Sequence, residues 1–148
     1  MDGKYLMQNA ETKIIVCVIK CKEKYLILKG APWMKTYPNL WSIVTGKIED
    51  NESPRQAAER EMVEETGQKP ITIKEGRVFA NKIKIGDYLV HTFLCEIESE
   101  KIRITGEHIA FKWVKPNEIF DHKTIPELEQ DFKAAGVDAG KPVQQKLF

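Results

Sequence analysis

The strongest constraint on this chain is a helix whose two ends are both written in the sequence. Ser53-Pro54-Arg55-Gln56 reads as a start, with Ser as N-cap, Pro at the first helical position and Gln three residues after the cap. Gly67, with Pro70 beyond it, reads as the stop. Within those limits Glu61 and Glu65 are four residues apart, so their side chains leave one face about one turn from each other, flanked by Glu64. Like charges at that spacing destabilise a helix by roughly 0.2–0.5 kcal/mol, yet the same geometry lets carboxylate oxygens converge on one hard divalent cation. Glutamates clustered on a helix are most often a solvated face. Against that reading, Glu61 and Glu65 neighbour Ala58 and Met62 on the helical wheel, beside the expected core stripe, and a partly buried carboxylate needs a partner.

Strand-like segments surround this helix. Lys13 to Lys20 carries Ile15, Cys17 and Ile19 on one face and Ile14, Val16 and Val18 on the other, the pattern of a strand buried on both sides. Lys24 to Lys29 reads as its hairpin partner through Lys22-Glu23, Gly30 to Asn39 as loop, and Leu40 to Val44 as strand. After Pro70, Ile71 to Lys74, Arg77 to Ile85, Tyr88 to Ile97 and Ala110 to Val114 read as strands, with Gly86-Asp87 as a hairpin turn. Asn117 to Phe120 predicts a short helical turn, and Pro126 to Ala135 a terminal helix ending at Gly136. Strands on both sides of one strong helix, with a second helix at the end, predict a mixed α/β layered domain. At 148 residues the chain fits one domain, expected over residues 1–137; residues 138–148, with Gly140, Pro142 and two glutamines, are expected to form a flexible tail.

Charge narrows the function classes. The net charge is +1, which gives no reason to expect bulk nucleic-acid binding or attraction to anionic lipid. Between residues 47 and 65, however, seven acidic residues face three basic ones, an island that asks for a cation. The longest apolar run, Ile14 to Ile19, has six residues against the roughly 20 of a membrane helix, so no membrane partner is expected. Three cysteines (Cys17, Cys21, Cys95) cannot pair completely, and the N-terminus has no basic start followed by an apolar stretch, so a reducing, cytoplasmic location is expected. Cys17-x3-Cys21 has no close His or second pair, and a zinc site is not expected there.

The spacing around the helix reads Gly46-x5-Glu52-x7-Arg60-Glu61-Met62-x-Glu64-Glu65-x-Gly67-Gln68. This resembles the Nudix box, in which a glycine is followed by Glu after five residues and by Arg-Glu-apolar-x-Glu-Glu-x-Gly-apolar after seven more. Every position matches except the last, where Gln68 replaces the usual aliphatic residue. Thr45 stands before Gly46 in place of a frequent second glycine, and Asn51 where many members have glycine. The resemblance implies an α/β/α sandwich with a mixed β-sheet and hydrolysis of a nucleoside diphosphate linked to another group, with Mg2+, or Mn2+, as cofactor. Carried over residue by residue, it implies that Glu61, Glu64 and Glu65 bind metal, that Glu49 and Glu52 assist through water, and that Arg60 orients the glutamates by ion pairing. Magnesium takes a few carboxylates plus substrate phosphates and keeps several waters, which suits these roles. Phosphoryl transfer then needs positioning, charge neutralisation and a carboxylate to accept the proton of the attacking water.

One of the helical glutamates could accept that proton; so could Glu107, in Gly106-Glu107-His108, although its sequence position alone reads first as an exposed loop glutamate. Trp41-x-x-Val44-Thr45-Gly46, with Glu107-His108-x-Ala110-x-Lys112-Trp113 later, resembles the dihydroneopterin triphosphate pyrophosphatase branch of Nudix enzymes. That likeness implies Glu107 as a third metal ligand or base, although the segment between box and Glu107 is shorter here. The expected activity is therefore a pyrophosphohydrolase that cleaves a nucleoside triphosphate, or a related small nucleotide or polyphosphate, to the monophosphate and pyrophosphate. Oxidised dGTP, dinucleoside polyphosphates and dihydroneopterin triphosphate are alternative substrates, and a non-catalytic nucleotide-binding module is the alternative of another class. The family likeness also admits a homodimer.

Weaker signals remain. Lys29, Lys35, Lys82 and Lys84 could meet phosphates or be merely solubilising; Trp33, Tyr37 and Trp41 could stack on a base or anchor packing. His91 and His122 are isolated in sequence. The last residues, Gln144-Gln145-Lys146-Leu147-Phe148, loosely resemble peptides that dock on DNA sliding clamps, although short apolar tails more often fold back onto their own domain.

Overall fold

A computed structural model describes residues 11–83 and 86–142 of the chain. Its centre is β1 (Glu11–Cys21), which pairs along its length in parallel with β6 (Gly86–Glu96), from Glu11 opposite Asp87 to Lys20 opposite Glu96. The other edge of β1 is divided. Its middle, Ile14 to Cys17, pairs antiparallel with β4 (Val44–Lys47), and its last two residues begin the hairpin to β2 (Lys24–Gly30) through Lys22, whose φ is +58°. Strand β2 carries β7 (His108–Val114) on one side and the two-residue β3 (Trp41–Ser42) on the other, while β5 (Thr72–Ile83) forms the far edge beyond β6. The result is a mixed seven-stranded sheet that opens between β4 and β2.

The alternation expected along β1 is what divides the core. Ile15, Cys17 and Ile19 pack with Ala57, Ala58 and Met62 of α1 (Pro54–Thr66), while Val16 and Val18 pack on the other face with Leu128 and Phe132 of α2 (Leu128–Ala134). The second face also takes Ile119 and Phe120 from a 3-10 turn, Pro116–Asp121. Helices on both faces of a mixed sheet make the expected α/β/α sandwich. Burying an aliphatic side chain of this kind contributes roughly 1.5–3 kcal/mol, so a strand buried on both sides is worth about twice one with a wet face.

The helix ends follow the sequence closely. Ser53 Oγ accepts from Gln56 N at 3.1 Å and the Gln56 side chain accepts from Ser53 N at 2.9 Å, a closed capping box, and Gly67 ends the helix at φ +76°.

Three expectations need correction, the first being the single strand expected at Leu40 to Val44, which is two: β3 pairs with β2 and β4 with β1. The strands expected at Ile71 to Lys74 and Arg77 to Ile85 are one strand, because Glu75-Gly76-Arg77 is absorbed as a bulge between Glu75 and Val78. A side chain at Gly76 would strike Thr92 Oγ1 and the backbone of Ala134 and Ala135, so the glycine marks a close approach of α2 rather than a break. Gly86 and Asp87, expected as the hairpin turn, are instead paired with Ile83 and Lys82.

Packing on the second face reaches Val137 and Ala139, slightly past the boundary expected at 137. The clamp-like residues, Gln144 to Phe148, lie outside the described residues. No helix among the described residues is long and apolar enough to cross a membrane. Cys17, Cys21 and Cys95 are all buried and free.

Candidate active site

The glutamates of α1 meet the sheet where it opens beside β4. Gly46 of β4 lies directly under Glu61, and a β-carbon there would overlap the Glu61 carboxylate. Beside it, the Glu65 carboxyl is close enough to Glu61 to share a proton with it. Glu65 is pushed well above the usual carboxylate range, first by burial, then by that hydrogen bond and by the negative charges of Glu61, Glu107 and Glu64. Among the described residues, no three His, Cys, Asp or Glu side chains are gathered tightly enough to enclose an ion unaided. A donor set of a few carboxylates with open positions nevertheless suits Mg2+, which keeps water and phosphate oxygens among its ligands.

Arg60 organises the group. Its Nε and Nη2 grip Glu52 in a two-pronged pair at 2.7 and 3.0 Å, its Nη1 reaches Glu61 at 3.0 Å and Glu64 at 3.2 Å, and its Nη2 also donates to Lys47 O at 3.0 Å. The guanidinium, with the Glu49 backbone N–H, holds Glu52 down at about 2. Glu61 and Glu52 are thus fixed, with side chains 13% and 14% exposed, whereas Glu64 is 57% exposed and flanks the group from outside. Glu49 stands further off, 3.9 Å from Arg60.

Glu107 arrives from the opposite side of the opening. The segment before it is tied to the end of α1: Arg103 N donates to Thr66 O at 2.9 Å and Gln68 Nε2 to Lys101 O at 2.6 Å. Glu107 O then accepts from Ala31 N at 2.8 Å. Gln68, the one mismatch in the glutamate motif, therefore holds the segment that carries Glu107 by a hydrogen bond where an aliphatic side chain would hold it by packing. Asn51, at φ +66°, adopts the left-handed backbone that asparagine tolerates best after glycine. Thr45 turns its hydroxyl back to Ile43 O at 3.2 Å.

Glu65 and Glu107 both line a pocket of about 320 Å3, at the lower end of the usual range for small-molecule sites. Its walls include Val16, Leu40, Val90 and Ile125, with Tyr37, Tyr88 and His108. His108 is held below its ordinary range by burial, opposed by Glu107.

Of the aromatic candidates, Tyr37 lines the pocket, Trp33 is 69% exposed, and Trp41 lies under Lys112 and against the His122 ring. Lys47 lines the pocket, a basic residue that the sequence reading did not single out. The sequence reading also missed Asp131, buried on α2 and facing the same pocket. The signal that could have found it is its place in the apolar stripe Leu128, Asp131, Phe132, Ala135.

A family description, the NUDIX domain, matches residues 11–135. The chain is 29% identical over 125 residues to a dihydroneopterin triphosphate diphosphatase of Haemophilus influenzae, covering 72% of this chain and 75% of that one. It is 28% identical over 119 residues to the nucleoside triphosphatase NudI of Escherichia coli, covering 72% and 84%. Among solved structures, the NUDIX domain of Shewanella oneidensis NrtR, complexed with ADP ribose, superposes with a TM-score of 0.74 at 16% identity, covering 91% of this chain and 97% of that one. At that identity the likeness speaks for the fold.

Proposed function

The chain belongs to the Nudix family, hydrolases of phosphoric anhydride bonds, and on that premise we propose that it is a Mg2+-dependent pyrophosphohydrolase of a nucleoside triphosphate or a related triphosphate. The observation that carries the proposal is that Glu65 and Glu107 line one pocket with apolar walls, with Glu61 packed over Gly46 at its edge. Both curated relatives described above are named for triphosphate substrates, one a nucleotide and the other a pterin, and both remain candidates.

Glu61 and Glu65 would hold the cation, with Glu107 as a further ligand or as the acceptor of the water proton, and Glu64 flanking them. The cation, when bound, would neutralise phosphate charge and acidify the attacking water. The chain's own contributions are positional. Arg60 keeps Glu61 in place through a network that includes Glu52 and the Lys47 carbonyl, so the carboxylates need little reorganisation when substrate arrives. Lys47 lends positive charge beside the acidic group for the phosphates. Water attacks one phosphorus, its proton passes to a carboxylate, and pyrophosphate leaves the monophosphate.

The test is product analysis across nucleoside triphosphates, oxidised dGTP, dinucleoside polyphosphates and dihydroneopterin triphosphate, with and without Mg2+. Metal-dependent release of pyrophosphate supports the proposal. Folded, metal-loaded protein that hydrolyses none of them contradicts it.

A further inference from the structure

Glu107 reaches the pocket on residues 97–107, a segment that belongs to none of the described strands. Its sequence still alternates. Ile102 and Ile104 turn in against the α1 side of the core, while Lys101, Arg103 and Thr105 are exposed. A backbone with that alternation but no neighbouring ladder must find partners for its N–H and C=O groups elsewhere. It finds them at the end of α1 and on β7. Gln68 Nε2 donates to Lys101 O at 2.6 Å, the Trp113 indole N–H donates to Glu100 O at 2.9 Å, and Arg103 N donates to Thr66 O at 2.9 Å.

Each anchor is itself fixed. Gln68 N donates to Thr66 Oγ1 at 3.1 Å and Thr66 Oγ1 donates to Met62 O at 2.6 Å, so Gln68 leaves the helix end in a defined direction. Trp113 packs, partly buried, against the α1 side of the core and lies on the strand that begins directly after Glu107. Arg103 N satisfies one of the carbonyls that a helix end leaves open, and the Arg103 side chain lies over Gly67, 3.5 Å from where a β-carbon would stand. The segment is thus a strap across the last turn of α1, beside the turn that carries Glu64 and Glu65. It closes around Glu107 as well, where His108 N donates to Thr105 O at 2.9 Å.

We propose that Gln68 and Trp113 are positioning residues that set the gap between Glu107 and the helical glutamates, Glu61 and Glu65, by gripping two successive carbonyls of the strap. This rests on the hydrolase reading above and deepens it, since that reading gives Glu107 a role without saying what keeps it in reach. The two sides of the site are held differently. Arg60 fixes Glu61 and Glu64 through their carboxylates, whereas the hold on Glu107 runs through backbone, by way of Ala31 and the strap. The gap is short enough for the charge of Glu107 to act on Glu65, and an error of about 1 Å in such a gap can cost about 100-fold in rate. An aliphatic side chain at position 68 would leave the strap free to slide along an apolar contact. A hydrogen bond to one named carbonyl fixes its register, because the bond weakens steeply with distance and angle.

The experiment measures kcat and KM with Mg2+, on the fastest of the triphosphates named above, for Gln68→Ala and Trp113→Phe, each alone and combined with Glu107→Gln. Trp113→Phe keeps an aromatic ring in the core and removes only the N–H donor. Each single variant is expected to lower kcat at least about tenfold with KM within about twofold, and neither should lower the kcat of Glu107→Gln by more than about a further twofold. A strap that merely supports the fold would lower kcat by the same factor in both backgrounds. That result, or single variants with native kcat, overturns the proposal and leaves the hydrolase reading standing. Native kcat in Glu107→Gln overturns the role of Glu107 and the proposal together. If nothing is hydrolysed, the hydrolase reading fails and Mn2+ alone decides the geometry by its broadening of amide NMR signals. Broadening at Glu65 and Glu107 in the native chain, weakened at Glu107 but kept at Glu65 in Gln68→Ala, supports the proposal. Equal broadening of Glu107 in both chains, or none at Glu65, overturns it.

Discussion

The Glu61 carboxylate occupies the space that a β-carbon on Gly46 would need. The glycine of the motif and its first helical glutamate are thus two halves of one contact, made where β4 runs under α1.

Gly46→Ala should therefore displace Glu61 and not merely crowd it. Overpacking of this kind costs about 1–3 kcal/mol, and a carboxylate moved by about 1 Å can cost about 100-fold in rate. The expected result is a modestly lowered melting temperature with activity nearly lost, read from thermal unfolding and kcat side by side. Activity within twofold of the native chain would mean that Glu61 is not held by this contact.

Arg60→Lys keeps the charge but loses the fork that grips Glu52 and reaches Glu61 and Glu64. Partners that orient a ligand are worth about 10–100-fold in metal affinity or activity, and a drop of that size is expected in both. Acid unfolding supplies a second readout. Glu52 is depressed to about 2, so its contribution to stability is complete above the unfolded value near 4.3 and lost as pH falls through the folded one. Arg60→Ala should flatten the stability profile in that window, roughly pH 2 to 4.5.

Glu65→Gln should abolish metal-dependent hydrolysis while raising the melting temperature of the metal-free protein. The native carboxyl must keep its proton to stay buried among three others, a cost above about pH 4.3 that the neutral amide does not carry; about 1 kcal/mol, or roughly 2–4 °C for a domain of this size, is the expected scale. Because Glu65 keeps its proton longer in the folded chain than in the unfolded one, the metal-free native protein should lose stability as pH rises above about 4.3, and Mg2+ should restore it. A Glu65→Gln variant that melts lower and still responds to Mg2+ would place the cation elsewhere.

Asn51 holds a left-handed backbone at φ +66°. Asn51→Gly should be neutral or slightly stabilising, whereas Asn51→Val should cost about 1–2 kcal/mol by denaturant unfolding. Equal stability of the two variants would show that the turn relaxes.

Much of this was legible before any coordinates. The alternation in Lys13 to Lys20 specifies a strand buried on two faces, and that strand is the one both helices cover. Ser53 and Gly67 mark helix ends because capping is local chemistry that needs no tertiary context. Local signals misled where tertiary contacts decide. Glu75-Gly76 reads as a break, but the glycine serves the approach of α2, and Gly86-Asp87 reads as a turn although the pairing of β5 with β6 continues through it. Asp131 was invisible for a related reason. A single acidic residue in a short helix looks solvated until the neighbouring Leu128 and Phe132 are seen to turn its face inward.

The most direct test of the central claim is to follow phosphorus-containing products by NMR after adding GTP or dihydroneopterin triphosphate with Mg2+ to the native chain and to Glu61→Gln. The account predicts pyrophosphate and the monophosphate in equal amounts, only with metal and only from the native chain. Orthophosphate as the first product, equal turnover by Glu61→Gln, or no turnover of either compound would contradict it.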